Sequence, residues 1–407
     1  MSSLTHLRGR IVALGGVILL LLVAGVWITL THASAQSAGG NGKTAAGGSK
    51  PSTGPSSQRS AGPLQLVSET PASSATGVSG ATDIKIQFSA PLAANSPLPR
   101  IKPHVAGSWQ GIGTATLEFV PRRGFAQRTR VRVIIPGGQL GVRSAHGSLL
   151  ARSARLDFRI GTYQTGRLAE LLAQLGYLPL TWTASPGATV PAASDAAGQI
   201  AAAYSPPQGT YSWQPGYPRR LRAFWQNGDA SSLMLKGAVM AFEADQGLAV
   251  DGVPGRAVWG ALLRAVAAGQ DNTHGYTYAV ASEGNPEQLT VWHDGRVIMR
   301  SVANTGIPAS PTAIGTAPVY LKYYYQVMKG TNPNGTKYAD PVYYVSYFYG
   351  GDAVHYFNRA TYGWPQSLGC VELPWNSAKF IWKYLTYGTL VTVARGSQTP
   401  VGSPPMN

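Results

Sequence analysis

The sequence of 407 residues contains one cysteine, and only 12% of its residues are charged. A single cysteine cannot form an internal disulfide, and it cannot supply a cysteine-rich zinc or iron–sulfur site. Acidic residues are also scarce, because 17 Asp and Glu stand against 33 Lys and Arg and the formal net charge is +16. This balance favours an anionic partner, which can be a nucleic acid, a membrane surface or an anionic polymer.

Apolar residues, in contrast, are plentiful enough to build hydrophobic cores. They make up 44% of the chain, which excludes wholesale disorder. The length predicts two to three folded units. The 49 glycines and 29 prolines favour β-rich, turn-rich modules of an extracytoplasmic kind.

A long apolar run lies near the N-terminus. Residues 11–30 are uncharged and mostly aliphatic, and as a helix they would span roughly 30 Å, the thickness of a bilayer's hydrocarbon core. Arg8 and Arg10 precede the run, so the N-terminus is expected to stay in the cytoplasm. We interpret residues 1–35 as a cytoplasmic stub and a single-pass membrane anchor, with cleavage of a signal peptide near Ala35 as the alternative. Either way the rest of the chain lies outside the cytoplasm, which argues against nucleic acid as a partner.

Two segments with different patterns follow. Residues 36–62 contain only Gly, Ala, Pro, polar and basic residues, so they are predicted to form a flexible linker. In residues 63–161, short alternating stretches such as 84–88 and 130–134 predict an antiparallel β-sandwich. The Ser-Glu-Thr-Pro sequence that starts at Ser68, and a strand that ends in Phe-Ser-Ala-Pro-Leu, resemble the bacterial immunoglobulin-like (Ig-like) repeats of cell-surface proteins.

Residues 162–269 show helical periodicity. Leucines recur at three-to-four spacing before Gly176, which ends the predicted helix. Farther along, the sequence Gly-Leu-Ala-Val-Asp-Gly-Val-Pro-Gly starts at Gly247. With the Val-Trp pair after it, this pattern resembles a small helical peptidoglycan-binding domain, here interrupted by an insertion at about 180 to 230. Four apolar residues of the pattern are interpreted as core rather than as ligand contacts: Phe242, Val250, Val258 and Trp259.

Residues 270–396 are again strand-rich, with one late helix predicted at about 376–384. The single cysteine, Cys370, lies in this segment within Ser-Leu-Gly-Cys-Val-Glu-Leu. A lone cysteine is commonly a small buried hydrophobe. An unpaired thiol in an oxidising compartment is a liability unless it is used, however, and Gly369 lets the backbone approach a substrate. Residues 397–407 are expected to form a flexible tail.

A nucleophilic cysteine needs a base to take its proton. His355 lies upstream at the end of a predicted strand, and it is the best candidate. His293 is its competitor in this segment, but the Asp-Gly sequence after it indicates a hairpin turn, where a histidine is usually solvated.

These residues carry a resemblance to a known family. Residues 270–396 resemble the L,D-transpeptidase catalytic domain (YkuD-like), which has an upstream His and a later Ser/Thr-x-Gly-Cys. The matching parts follow in the family's order: Thr305-Gly306, Pro311-Thr312 with Gly315, His355, Ser367 to Cys370, a helix, and Gly388 to Val393. The predicted fold is therefore multidomain, with an N-terminal transmembrane helix, an Ig-like β-sandwich, a small α-helical peptidoglycan-binding-like domain and a mainly-β L,D-transpeptidase catalytic domain.

Three positions depart from the family pattern. Leu368 stands where many members have His, Glu372 stands where many have Arg or Asn, and Tyr356 stands where Gly or Ser is frequent. Leu368 cannot donate a hydrogen bond, so any orienting or relay role of the second His is absent or is performed elsewhere. The assignments of Cys370 and His355 do not depend on these positions.

The resemblance implies acyl transfer on peptidoglycan stem peptides without a metal or cofactor. Cys370 would attack a tetrapeptide stem and release D-Ala, and His355 would act as the base. The backbone N–H groups of Gly369 and Cys370 are expected to bind the oxyanion. Ser367 would orient His355, line the site or only shape the turn. Tyr338 and Tyr356 are expected in the wall of the site.

Two other function classes stay open: a non-catalytic wall-binding protein, and an L,D-carboxypeptidase or other secreted cysteine peptidase. Carbapenem β-lactams are expected as covalent inhibitors of an active site of this type. The positive charge is uneven, because residues 1–62 contain five basic and no acidic residues and residues 63–161 contain twelve basic and four acidic. The basic N-terminal half is therefore expected to contact an anionic membrane or wall polymer.

Overall fold

The computed structural model describes residues 62–122, 124–226 and 229–396. The predicted anchor, all but the last residue of the linker, and the C-terminal tail lie outside these residues. Within the described ranges, no helix is both long enough and apolar enough to cross a membrane.

The first described domain is the predicted β-sandwich, which the structure confirms. One antiparallel sheet has the order β1-β2-β5-β4 and the other β3-β6-β7. The predicted alternation of buried and exposed side chains is present in β6, where Val131, Val133 and Ile135 all point into the core. The strands are β1 Leu66–Thr70, β2 Ile84–Phe88, β3 Arg100–Lys102, β4 Gly107–Gln110, β5 Thr116–Pro121, β6 Arg130–Ile135 and β7 Ala154–Arg159.

The second segment is helical, with a two-stranded antiparallel sheet in the predicted insertion. Its elements are α1 Thr165–Gln174, β8 Leu180–Ala184, α2 Ala196–Tyr204, β9 Gly209–Trp213, α3 Arg219–Arg222, α4 Leu233–Asp245 and α5 Arg256–Ala268. Phe242, Val258 and Trp259 are buried, which confirms their interpretation as core, whereas Val250 is only half-buried. Gly176 has φ +79°, a conformation that suits glycine, and it lies just beyond α1.

The C-terminal domain contains two sheets and the predicted late helix. Their orders are β12-β11-β10-β18-β13 and β14-β15-β16-β17. Apolar residues of both sheets and of the helix form one core between them. The elements are β10 Thr277–Glu283, β11 Gln288–His293, β12 Arg296–Val302, β13 Gly315–Pro318, β14 Leu321–Thr331, β15 Lys337–Tyr349, β16 Asp352–Tyr356, β17 Val371–Leu373, α6 Trp375–Trp382 and β18 Leu390–Arg395.

The helical segment and the C-terminal domain share a hydrophobic core. Tyr278, Val280 and Leu390, which lie on adjacent strands of the first sheet, belong to the same buried cluster as the leucines of α1. Gly388 (φ +79°) packs directly on the backbone of Gly237 in α4, where an added Cβ would collide with the carbonyl oxygen. The helices therefore support the sheet of the C-terminal domain and do not form a separately packed module.

Candidate active site

The structure brings the predicted nucleophile and base together at the ends of two paired strands. β16 and β17 are parallel neighbours, with Val354 opposite Val371 and His355 opposite Glu372. Cys370 directly precedes β17 and is level with Ala353 in this register. The side chains of Cys370 and His355 line the same cavity, of about 740 Å³.

The hydrogen bond of His355 determines its tautomer. The ring is buried, and Nδ1 lies 2.9 Å from the backbone oxygen of Tyr356. A carbonyl oxygen can only accept, so Nδ1 carries the proton and Nε2 of the neutral ring keeps its lone pair. Burial lowers the pKa of His355, although the Tyr356 carbonyl and the charge of Glu372 oppose this effect. The imidazole is therefore neutral at neutral pH and able to accept a proton at Nε2.

The thiol of Cys370 is also uncharged in this environment. Burial raises its pKa to about 12, and the carboxylates of Asp352 and Glu372 act in the same direction. The backbone N–H of Ala353 opposes them, and Sγ lies 3.8 Å from the carbonyl oxygen of Gly351. The thiol and the neutral imidazole line the same cavity, and a thiolate would require a base to take the thiol proton.

Ser367 and Gly369 shape the turn that precedes Cys370. The Ser367 hydroxyl donates to the Cys370 carbonyl at 2.6 Å and accepts from the Gly369 N–H at 3.2 Å. The hydroxyl therefore serves the turn and does not orient His355, although Ser367 also lines the cavity. The Gly369 N–H, which was expected to bind the oxyanion, is engaged within the turn. Gly369 has φ +123°, a conformation that strongly favours glycine.

The segment that begins at Thr305 holds this turn from the other side. The Ser367 N–H donates to the Thr305 carbonyl at 3.0 Å, and the Ile307 N–H donates to the Ser367 carbonyl at 2.9 Å. Thr305 is itself held by the buried carboxylate of Glu287, which accepts from its N–H and its hydroxyl. The Gly306 N–H donates to the Thr312 hydroxyl at 2.8 Å. The motif residues upstream of the histidine therefore hold residues 367–370, the cysteine turn, in place.

Glu372, which departs from the family pattern, forms a buried ion pair. Its carboxylate accepts from Nε and Nη2 of Arg359, each at 2.8 Å, and from Nδ2 of Asn304 at 3.2 Å. Arg359 Nη2 also donates to the carbonyl of Gln366, next to Ser367, at 3.0 Å. Arg359 was not among the residues predicted from the sequence. A signal was available, because Arg359 is the only basic residue between His355 and Cys370 and a buried glutamate needs a cation.

The other predicted residues divide between the cavity and its surroundings. Leu368 and Tyr338 line the cavity. Tyr356 is not among the lining residues: its ring packs on Trp375, with ring centres 4.9 Å apart. His293 lies at the end of β11, away from the cavity, with Nδ1 3.0 Å from the hydroxyl of Thr277.

Asp352 is a second residue that the sequence analysis missed. It is the first residue of β16, it lines the cavity, and its Oδ2 accepts from the Ala313 N–H at 2.9 Å. Across the described part of the chain, no group of three or more His, Cys, Asp or Glu side chains is arranged to hold a metal ion.

Family comparisons identify two of the domains. Residues 277–393 match the family described as L,D-transpeptidase catalytic domain (YkuD), and residues 60–160 match the bacterial Ig-like domain (Big_5). The chain therefore contains an L,D-transpeptidase catalytic domain preceded by a bacterial Ig-like domain. Neither match includes residues 162–269, for which the peptidoglycan-binding role stays a prediction. No curated protein matches the chain.

Several solved structures are similar to the chain, each with a TM-score of 0.27. The LD transpeptidase LdtMt1 in complex with imipenem has 16% identity and covers 81% of this chain and 98% of its own. L,D-transpeptidase 3 from Mycobacterium tuberculosis, in complex with a faropenem-derived adduct, has 14% identity and covers 81% of this chain and 97% of its own. The catalytic domain of the E. faecium L,D-transpeptidase has 28% identity over 30% of this chain and 99% of its own.

Proposed function

We propose that this protein is a peptidoglycan L,D-transpeptidase that works through an acyl-enzyme on Cys370. One observation carries the proposal: in the domain that matches the L,D-transpeptidase family, the only cysteine of the chain and a buried histidine with a free Nε2 line the same cavity. The donor is a tetrapeptide stem, as the family resemblance implies.

Acylation begins when Sγ of Cys370 attacks the carbonyl carbon of the third stem residue. The thiol proton passes to Nε2 of His355, because the raised pKa of the thiol makes a standing thiolate unfavourable. When the tetrahedral intermediate collapses, the C–N bond to the terminal D-Ala breaks and His355 returns the proton to the leaving amine. A C–S thioester remains, and the amine of an acceptor stem then attacks it.

Carbapenem acylation tests the nucleophile. Intact-mass measurement should show one adduct on the wild type and none on Cys370→Ala, and His355→Ala should react far more slowly. His293→Ala is the matched control, because it removes a histidine of the same domain that does not line the cavity. A wild type that forms no adduct would indicate a non-catalytic wall-binding protein.

The products distinguish transfer from hydrolysis. Incubation with purified muropeptides should produce dimers joined between two third-position residues. Trimmed tripeptides without dimers would identify an L,D-carboxypeptidase and contradict the transferase assignment.

The remaining parts of the proposal concern location and attachment. Residues 11–30 hold the protein in the membrane, with the folded domains on the extracytoplasmic side. The basic Ig-like domain contacts anionic lipid or wall polymer, and the helical segment contacts peptidoglycan. A protease-accessibility assay on intact cells tests the orientation, because digestion of the C-terminal domain requires that it lie outside.

A further inference from the structure

The charges of the cavity leave one carboxylate beside the nucleophile without a cation. Besides His355, the charged lining residues are Lys329, Asp340, Asp352, Arg359 and Glu372. Arg359 and Glu372 neutralise each other in their ion pair. Lys329 and Asp340 lie on the long β14–β15 hairpin, where Lys329 is opposite Ala339 in the strand register. Asp352 lies instead next to the cysteine turn.

The surroundings of Asp352 contain no balancing charge. Its Oδ2 accepts from the Ala313 N–H, and among the described residues no donor reaches Oδ1. Oδ1 packs closely against Gly369: a Cβ added to Gly369 would lie 2.5 Å from it. The ion pairs formed by the described residues do not include Asp352.

This carboxylate opposes the first half of the reaction. Its charge raises the pKa of Cys370 and so disfavours the thiolate that must attack. The hydrogen bond from Ala313 does not require the charge, because the amide oxygen of an asparagine would accept it equally well. A charge that makes thiolate formation less favourable, and that the local structure does not need, indicates that Asp352 has a function requiring its negative charge.

We propose that Asp352 binds the ammonium group of the acceptor stem and positions it for attack on the thioester. The inference rests on the proposed function, in which the second substrate is an amine. An alkyl amine has a pKa of about 10.4 and arrives protonated at neutral pH. A carboxylate in the cavity is the group that attracts it and forms a charge-assisted hydrogen bond with it.

The transfer step then balances as follows. The ammonium gives one proton to Asp352, and the neutral amine attacks the thioester carbonyl carbon. A C–N bond forms, the C–S bond breaks, and the amine's second proton passes through His355 to the leaving sulfur, which restores the thiol. Asp352 finally releases its proton to water. Burial raises the pKa of Asp352, which makes it a better proton acceptor than an exposed aspartate.

Asp352→Asn tests the proposal, because it removes the charge and keeps the shape. The full-length protein is assayed for carbapenem acylation, for transfer to a stem peptide with a free side-chain amine, and for transfer to hydroxylamine, which is uncharged at neutral pH. Loss of the charge-assisted hydrogen bond predicts a fall of roughly tenfold to a hundredfold in kcat/KM for the stem amine, because the variant neither binds the ammonium as tightly nor takes its proton. Acylation and transfer to hydroxylamine should keep at least the wild-type rate.

Glu283→Gln is the matched control, because it removes one negative charge of the same domain outside the cavity. This variant should transfer the acyl group to both acceptors at the wild-type rate. Wild-type transfer to the stem amine by Asp352→Asn would overturn the inference. An equal loss with both acceptors, or a loss of acylation, would also overturn it, because the carboxylate would then only shape the turn. A wild type that is never acylated would overturn the proposed function itself, and this result is read separately from the transfer assays.

Discussion

Replacing Arg359 by Met is expected to leave a buried carboxylate without its cation. Glu372 is 4% exposed, and apart from Arg359 its carboxylate accepts from one described side chain, Asn304. Removing one partner of a buried ion pair costs about 3–5 kcal/mol. The Arg359 side chain is 28% exposed, so water compensates part of the loss. We therefore expect the free energy of unfolding to fall by about 3 kcal/mol, the lower end of this range.

A double-mutant cycle separates the ion pair from simple loss of packing. Arg359→Met and Glu372→Gln remove the charges singly, and the double variant removes both while Gln keeps an acceptor for Asn304. The double variant should regain about 2 kcal/mol relative to the sum of the single losses, because no unpaired charge remains. Urea denaturation measures these free energies of unfolding. A chain with several domains need not unfold in one step, so the transition to be analysed is the one in which carbapenem acylation is lost.

The same variants report on the cysteine turn. Arg359 also holds the Gln366 carbonyl, so Arg359→Met should slow acylation even under conditions where the protein is fully folded. Lys379→Met is the control, because it removes an exposed basic residue of α6 in the same domain. Additive stability losses in the cycle, or wild-type acylation by Arg359→Met, would refute the view that this pair positions the turn.

Four further results are expected. Gly369→Ala should abolish acylation, because its φ is +123° and the new Cβ meets a carboxylate, whereas Gly335→Ala at φ +85° has open space and should acylate normally. Iodoacetamide at pH 7 should alkylate Cys370 more slowly than free cysteine, because burial raises the pKa of the thiol to about 12 and leaves a smaller thiolate fraction; rapid alkylation would indicate a standing thiolate. In a pH–rate profile, acylation should decline only below pH 6.5, because burial lowers the pKa of His355 and its neutral form is required. Gly388→Ala should lower the melting temperature by separating the helical segment from the sheet, and an unchanged melting temperature would contradict the shared core.

The predictable parts of the fold are those in which the spacing of apolar residues along the chain shows which face is buried. Alternation along β6 and the leucine spacing of α1 each follow from a single face that must be buried. The shared cavity of Cys370 and His355 was predictable from the family motif, and their roles as nucleophile and base stay a prediction.

Apart from the direction of Tyr356, the rest depends on pairings between distant residues that no local pattern encodes. The Arg359–Glu372 pair requires the loop after β16 to fold back over β17. The direction of Tyr356 is a consequence of strand alternation: His355 points into the cavity, so the next residue points to the other side, onto Trp375. This last point was available from the sequence once His355 was assigned to a strand.

In the proposed mechanism, the two carboxylates nearest Cys370 have different consequences over the reaction cycle. Glu372 also raises the pKa of the thiol, but it stays paired with Arg359 throughout and is not available to bind another cation. Asp352 raises the pKa of the thiol only while the sulfur can ionise. Once the thioester has formed, the sulfur is neutral and that cost disappears, while the attraction for an incoming ammonium remains. Asp352→Asn should therefore acylate at least as fast as the wild type and transfer more slowly to a charged amine. A variant that lost both steps together would show that this separation of the two half-reactions is wrong.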